Sequence, residues 1–232
     1  MAQPITAADL AGRLAATATP GAVHVVGLTG SVAAGKSTLA AQVAAALAPT
    51  HRIDVVSTDA WLLPNAVIDA RGLTLKKGYP ESYDVAALAA LPAAIRRGPV
   101  TVPGYSHIIY DVDPALARTI TPPDILILEG LGFAGPVAAT LDTFVYLDAA
   151  EADLEHWFLE RFMAFWHAAA DDPTSFYVRF RNMDAAGARE FGRMVWQTIN
   201  LPNLRAHIAP LAARADMVVS KARDHELALL RG

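Results

Sequence analysis

A doubly wound α/β fold, with helices on both faces of a mainly parallel sheet, is what this sequence predicts. Three observations carry the prediction. Short apolar runs at 23–28, 53–57, 124–130, 143–148 and 217–220 have the length and continuity of strands buried on both faces. Helix-like segments separate several of them, and strand–helix alternation is the mark of a parallel sheet. Between the first strand and the first long helix lies Gly30-Ser31-Val32-Ala33-Ala34-Gly35-Lys36-Ser37, which matches the phosphate-loop pattern G-x-x-x-x-G-K-[ST] at every fixed position. The expected architecture is therefore one P-loop NTPase domain over residues 1–232, its nucleotide-binding core starting near residue 23.

Taken in order, residues 6–17 read as a short amphipathic helix. Thr6 is its N-cap, Asp9 stands three positions on, and Pro20-Gly21 ends the segment. The strand at 23–28 runs into the phosphate loop. The helix at 38–47 follows, with Thr38 and Gln42 as its only polar residues, and Pro49 stops it. A second strand, 53–57, leads to Thr58-Asp59-Ala60-Trp61. From 62 to 83 the chain is polar and irregular, with Pro64, Gly72, Gly78 and Pro80 and the cations Arg71, Lys76 and Lys77. Loops of this length inside a compact fold are usually functional or disordered.

An alanine-rich helix at 84–97 closes on Arg96-Arg97-Gly98. The runs at 100–103 and 105–111 leave no room for a helix between them. Ile125–Leu128, followed by Glu129 and Gly130, is a strand apolar throughout, and 143–148 is another. Helices are expected at 150–169 and 184–199, the second ending before Asn200-Leu201-Pro202. The last strand is 217–220. No repeat or composition break marks a second domain.

Composition narrows the function classes. With 53% hydrophobic and 18% charged residues among 232, the chain can bury a large core. A net charge of −4 and a pI near 5.9 give no basic surface for nucleic acid or membrane. The absence of cysteine excludes disulfides and thiolate metal sites, which fits a reducing compartment. The first residues lack a signal-peptide pattern, and no apolar run reaches the ~18 residues of a membrane span. A soluble, cytoplasmic protein is expected.

The chemistry follows from the loop. Its glycines let successive N–H groups face one anion at the positive end of a helix. The residues expected to hold ATP are Gly30, Ser31, Val32, Ala33, Ala34, Gly35, Lys36, Ser37 and Thr38, with Lys36 reaching the outer phosphates. Mg²⁺ would be held by the Ser37 hydroxyl and the Glu129 carboxylate, since a hard cation takes oxygen ligands. Lys36, Asp59 and Glu129 all lie just past carboxyl ends of expected strands, where ligands bind in such sheets. Asp59 suits a general base, taking the proton of a hydroxyl acceptor as it attacks the γ-phosphorus; the plain alternative is an Asx turn. In the helix at 150–169, Leu154, Phe158, Phe162, Phe165 and Trp166 make an apolar face that also carries Arg161. That guanidinium either pairs or stacks structurally, or reaches the transferred phosphoryl group. His107 stands between Tyr105 and Tyr110, where a histidine is as readily structural as ligand-binding.

Several stretches together resemble bacterial type I pantothenate kinase, within the phosphoribulokinase and uridine kinase group. They are the loop 30–37, Ser57–Asn65, Arg71-Gly72-Leu73, and Lys76-Lys77-Gly78-Tyr79-Pro80-Glu81-Ser82-Tyr83-Asp84. Tyr105–Asp111, Asp124–Leu131, Trp157, Arg161-Phe162, Ile199-Asn200 and Asn203-Leu204 extend the likeness from about 23 to 221. The resemblance implies an ATP-dependent kinase acting in coenzyme A biosynthesis on a small alcohol, usually as a homodimer. It implies that Lys36, Asp59 and Arg161 are catalytic, and that Tyr105, His107, Tyr110, Phe158, Phe162 and Asn200 line the acceptor site with Asp59. Phe158 stands where the family has a tyrosine. A kinase of the same group acting on a nucleoside, sugar or hydroxy acid is the alternative. A nucleotide-binding regulator without transfer activity is the third reading, against which Asp59, Glu129 and Arg161 speak.

Overall fold

The computed structural model describes residues 2–232. The chain begins with strand β1 (Gln3–Ile5) and helix α1 (Ala7–Thr17), whose start is a reciprocal capping box between Thr6 and Asp9. Strand β2 (His24–Gly30) is buried along its whole length and feeds helix α2 (Lys36–Leu47) and strand β3 (Ile53–Ser57). The stretch from 62 to 83, irregular in sequence, is not structureless: helix α3 (Asn65–Ala70) and short 3₁₀ turns occupy it. Helix α4 (Val85–Arg97) starts on the Asp84 cap.

Two small antiparallel pairs then stand apart from the main sheet: β4 (Val100–Val102) with β7 (Arg118–Ile120), and β5 (Tyr105–Ser106) with β6 (Asp111–Val112). Strand β8 (Ile125–Glu129), strand β9 (Thr143–Asp148), helix α5 (Glu151–Ala168) and helix α6 (Ala185–Val195) complete the core, followed by β10 (Met217–Lys221) and β11 (Leu227–Arg231).

The main sheet runs β1-β11-β10-β9-β2-β8-β3, parallel from β10 to β3 and antiparallel at the β11 and β1 edge. Connections between parallel strands are right-handed as a rule; with this strand order the rule places α2 on one face and the returning connections through α4 and α5–α6 on the other. The sheet is thus mainly parallel and wound on both sides, as its apolar strands predict. The antiparallel edge was not foreseen.

One expectation is corrected. The helix expected to stop before Asn200 does not stop there. After α6 the chain stays helical to Arg214, widening into π turns at Trp196–Asn200 and Leu204–Ile208. Proline normally breaks a helix because it has no N–H and its ring crowds the carbonyl one turn back. The wide turn on either side of Pro202 relieves that crowding and lets the helical path continue.

Candidate functional site

The phosphate loop is shaped by close approach. A Cβ on Gly30 would lie 2.3 Å from the Leu147 carbonyl oxygen, so only glycine lets β2 leave the sheet against β9. At Gly35 (φ +94°) a Cβ would lie 2.8 Å from Lys221 Nζ. Ala33 is also left-handed (φ +64°). Left-handed residues at 33 and 35 curl the chain into a concave turn at the N-terminus of α2, whose free N–H groups form an anion site.

Lys36 is buried in this turn and donates to the Ser31 carbonyl (2.8 Å). Burial lowers its pKa to about 8; the carboxylates of Glu129 and Asp59 oppose the shift and Arg161 adds to it. Four charges from four elements therefore act on one another at the carboxyl ends of the parallel strands. The register explains two of them. Ser57 and Leu28 both lie opposite Glu129 across β3, β8 and β2, so Glu129 and the turn that follows Ser57 share one rim. Glu129 is buried and makes no ion pair among the described residues. Ser57 Oγ accepts from the Asp59 N–H (3.3 Å), and the Tyr83 hydroxyl donates to Asp59 Oδ1 (3.2 Å). Burial, with the Asp59 charge beside it, holds the Tyr83 phenol far above its ordinary pKa, so it stays a donor.

Two cavities meet at Arg161. One, of about 330 Å³, is bordered by Ala33, Gly35, Lys36, Ser37 and Thr38 of the loop, and by Trp157, Lys221 and His225. The other, of about 300 Å³, brings together Asp59, Tyr105, His107, Tyr110, Phe158, Phe162 and Asn200, with Val32 at its loop side. Arg161 borders both. It is exposed and has no carboxylate partner among the described residues, so its guanidinium faces open space between them. Ser31, Ala34 and Glu129 are buried and border neither space, and the Glu129 charge acts on Lys36 at the base of the loop.

The second cavity combines polar and aromatic lining. Tyr105 and His107 meet edge to face (5.1 Å), and Tyr110 lies against Phe176 (4.5 Å). Burial raises the Tyr110 phenol to about 12 and Tyr105 further, so both hydroxyls are neutral donors near pH 7. Phe158, Phe162, Phe180 and Phe191 give the same cavity apolar surface, and Tyr177 and Phe180 pack on Phe176 (5.6 and 5.7 Å) beside Tyr110.

Sequence reading missed several of these residues. Lys221 donates to the Ala34 carbonyl (2.9 Å) and lies 4.0 Å from the Trp157 ring centroid, while His225 stacks on the same ring at 5.3 Å. Its position at the carboxyl end of the last parallel strand was a usable signal, the same one that picked Asp59 and Glu129. Of the three loop cations, Lys77 enters the acceptor-side cavity, Lys76 pairs with Glu81 on the surface (3.0 Å), and Arg71 borders neither cavity.

The profile of the phosphoribulokinase/uridine kinase family matches residues 25–164, from β2 through most of α5. The chain belongs to that family. Pantothenate kinase of Sorangium cellulosum (strain So ce56) is 45% identical over 214 residues, covering 87% of this chain and 70% of that protein. Pantothenate kinase of Streptomyces avermitilis is 41% identical over 224 residues, covering 89% and 68%. Among solved structures, a Silicibacter sp. TM1040 protein assigned as a kinase of a fructose transport system superposes with a TM-score of 0.72 at 25% identity, covering 87% of this chain and 93% of that one. Like the family, this chain is an ATP-dependent kinase with an alcohol acceptor. No helix among the described residues is long and apolar enough to cross a membrane.

Proposed function

We propose that the protein transfers the γ-phosphate of ATP to a hydroxyl of pantothenate. The observation that carries this reading is the pair of cavities joined at Arg161: a phosphate loop on one side, and on the other a pocket lined in part by the Asp59 carboxylate, which has no cation paired with it among the described residues. Relatives at 45% and 41% identity bear the name pantothenate kinase, which favours this acceptor over a nucleoside, sugar or hydroxy acid.

In this reading the loop N–H groups and Lys36 hold the β- and γ-phosphates. Asp59 accepts the hydroxyl proton, the freed oxygen forms a bond to the γ-phosphorus, and the bond to the ADP oxygen breaks. Arg161 offsets the charge that builds on the transferring group. Pantothenate brings two hydroxyls, an amide and a carboxylate; the cavity offers the Tyr105 and Tyr110 hydroxyls, His107, the Asn200 amide and the Lys77 ammonium, with Phe158 and Phe162 for its carbon skeleton. Ser37 and Glu129 suit Mg²⁺: both are oxygen donors, and Glu129 has no competing cation in contact. Bound there, the ion would neutralise phosphate charge. In this reading the protein is one folding unit that acts as a homodimer in the cytoplasm.

The test is ADP release with pantothenate, a nucleoside, a hexose and a short hydroxy acid as acceptors. The reading expects pantothenate to give the highest kcat/KM. Turnover of another alcohol with none of pantothenate would reassign the acceptor.

A further inference from the structure

Among the described residues, three that are not glycine have a positive φ: Ala33, Tyr110 and His225. Ala33 and His225 border the phosphate-side cavity and Tyr110 the acceptor-side one. Bulky residues rarely adopt this region, and they persist there only where their surroundings over-determine the backbone. At Tyr110 (φ +56°) the surroundings can be named.

The Tyr110 carbonyl accepts from Asn65 Nδ2 (2.9 Å) and from Lys77 Nζ. Lys77 Nζ also donates to Asn65 Oδ1 (2.6 Å), which closes a triangle. On the far side of the same peptide, the Asn65 N–H donates to Asp111 Oδ1 (2.9 Å), an oxygen that also accepts from the Val112 N–H (2.8 Å). The first residue of α3 thus grips the chain at 110 and at 111. Lys77 holds rings as well as backbone, its Nζ lying 4.2 Å from the Tyr110 ring centroid and 5.1 Å from that of Tyr105. Asn65 itself does not border the cavity. It can reach a ligand there only through what it positions.

We propose that Asn65 and Lys77 form a clamp that holds Tyr110 in its left-handed conformation, and that Asn65 is a positioning residue for acceptor binding. The inference rests on the reading of this cavity as the acceptor site. The clamp joins two remote parts of the chain, α3 with its following loop and the β5–β6 turn, at a residue whose side chain borders the cavity. Without it, Tyr110 relaxes toward negative φ and its ring swings out of place.

Asn65→Ala removes the amide donor to the carbonyl and the oxygen partner of Lys77. Loss of contacts to a charged group predicts a rise in the KM for pantothenate of about tenfold. The KM for ATP should stay unchanged, and the melting temperature should fall by no more than about 4 °C. In a Tyr110→Ala background the same substitution should add markedly less to the acceptor KM, because the ring it positions is gone and only its hold on Lys77 remains. An equal increase in both backgrounds would overturn the clamp, as would an unchanged acceptor KM, or a parallel rise in both KM values with a large loss of stability. A crystal structure of Asn65→Ala gives a readout independent of acceptor identity. Tyr110 is expected at negative φ; a residue still near its wild-type φ, with the ring unmoved, refutes the proposal. Failure of the wild-type enzyme to use pantothenate would retire the acceptor reading and leave this crystallographic arm in force.

Discussion

Gly130→Ala is the substitution that most directly probes how the carboxylate rim is built. Gly130 follows Glu129 at φ +144°, donates to the Leu28 carbonyl (3.1 Å) and accepts from the Thr29 hydroxyl (3.0 Å), so its backbone is held on both sides. A Cβ there would lie 2.0 Å from Thr58 Oγ1 and 3.1 Å from Thr58 Cβ. Thr58 is fully buried, and its hydroxyl accepts from the Gly132 N–H (3.2 Å). Nothing can yield except the turn that carries Asp59. Backbone strain costs about 1–3 kcal/mol, overpacking about 1–3 kcal/mol, and the displaced hydrogen bond about 0.5–1.5 kcal/mol. The sum is about 2.5–7.5 kcal/mol. At an unfolding entropy of about 2.1 cal/mol/K per residue, this lowers Tm by about 5–15 °C. A displacement of Asp59 approaching 1 Å lowers kcat by about 10². Scanning calorimetry and steady-state kinetics read both effects. Gly72→Ala is the control, since that glycine is left-handed (φ +68°) with open space around its Cβ, and only the local strain of about 1–2 kcal/mol applies. A Gly130→Ala enzyme with full kcat and a Tm no lower than the control would refute the close-approach argument.

Asp59→Asn removes the proposed base while keeping the Tyr83 contact within reach; kcat should fall by about 10²–10⁴ with the KM for ATP unchanged, and a raised ATP KM at normal kcat would move Asp59 to the nucleotide side. Lys36, with its pKa lowered to about 8, loses its charge as pH rises through that value. In the free enzyme kcat/KM for ATP should therefore decline above about pH 8, and a profile flat to pH 10 contradicts the assignment. The stability sign is opposite: burying a charged lysine is unfavourable at low pH, so this group's contribution improves between about 8 and its ordinary 10.5. Phe158 packs on Trp196 at 5.7 Å and borders the acceptor cavity. Phe158→Tyr should raise kcat/KM for pantothenate about two- to thirteen-fold if the new hydroxyl finds a polar group on it; a decrease means the hydroxyl is buried unpaired.

What was legible in the sequence depended on how local the signal was. The Thr6–Asp9 box, the phosphate loop and the all-apolar strands are short patterns that specify their own structure, and each appears where expected. The β1 and β11 pair is three and five residues long, and its pairing joins opposite ends of the chain, so no local pattern announces it. Pro202 read as a stop because the rule assumes an ordinary α-turn, which the flanking π turns replace. At the site, charged residues at strand ends could be found by position alone, as Asp59 and Glu129 were. Lys77 could not be separated from Arg71 and Lys76 by composition: what distinguishes it is Asn65 and the Tyr110 carbonyl, brought to it from 12 and 33 residues away.

The central claim, direct transfer from ATP to pantothenate across the Arg161 junction, is tested by ³¹P NMR of a complete reaction. The account predicts one new phosphate monoester on pantothenate for each ADP formed, and none with the Asp59→Asn enzyme over the same time. ADP with inorganic phosphate and no ester, or an ester formed at full rate by Asp59→Asn, would contradict it.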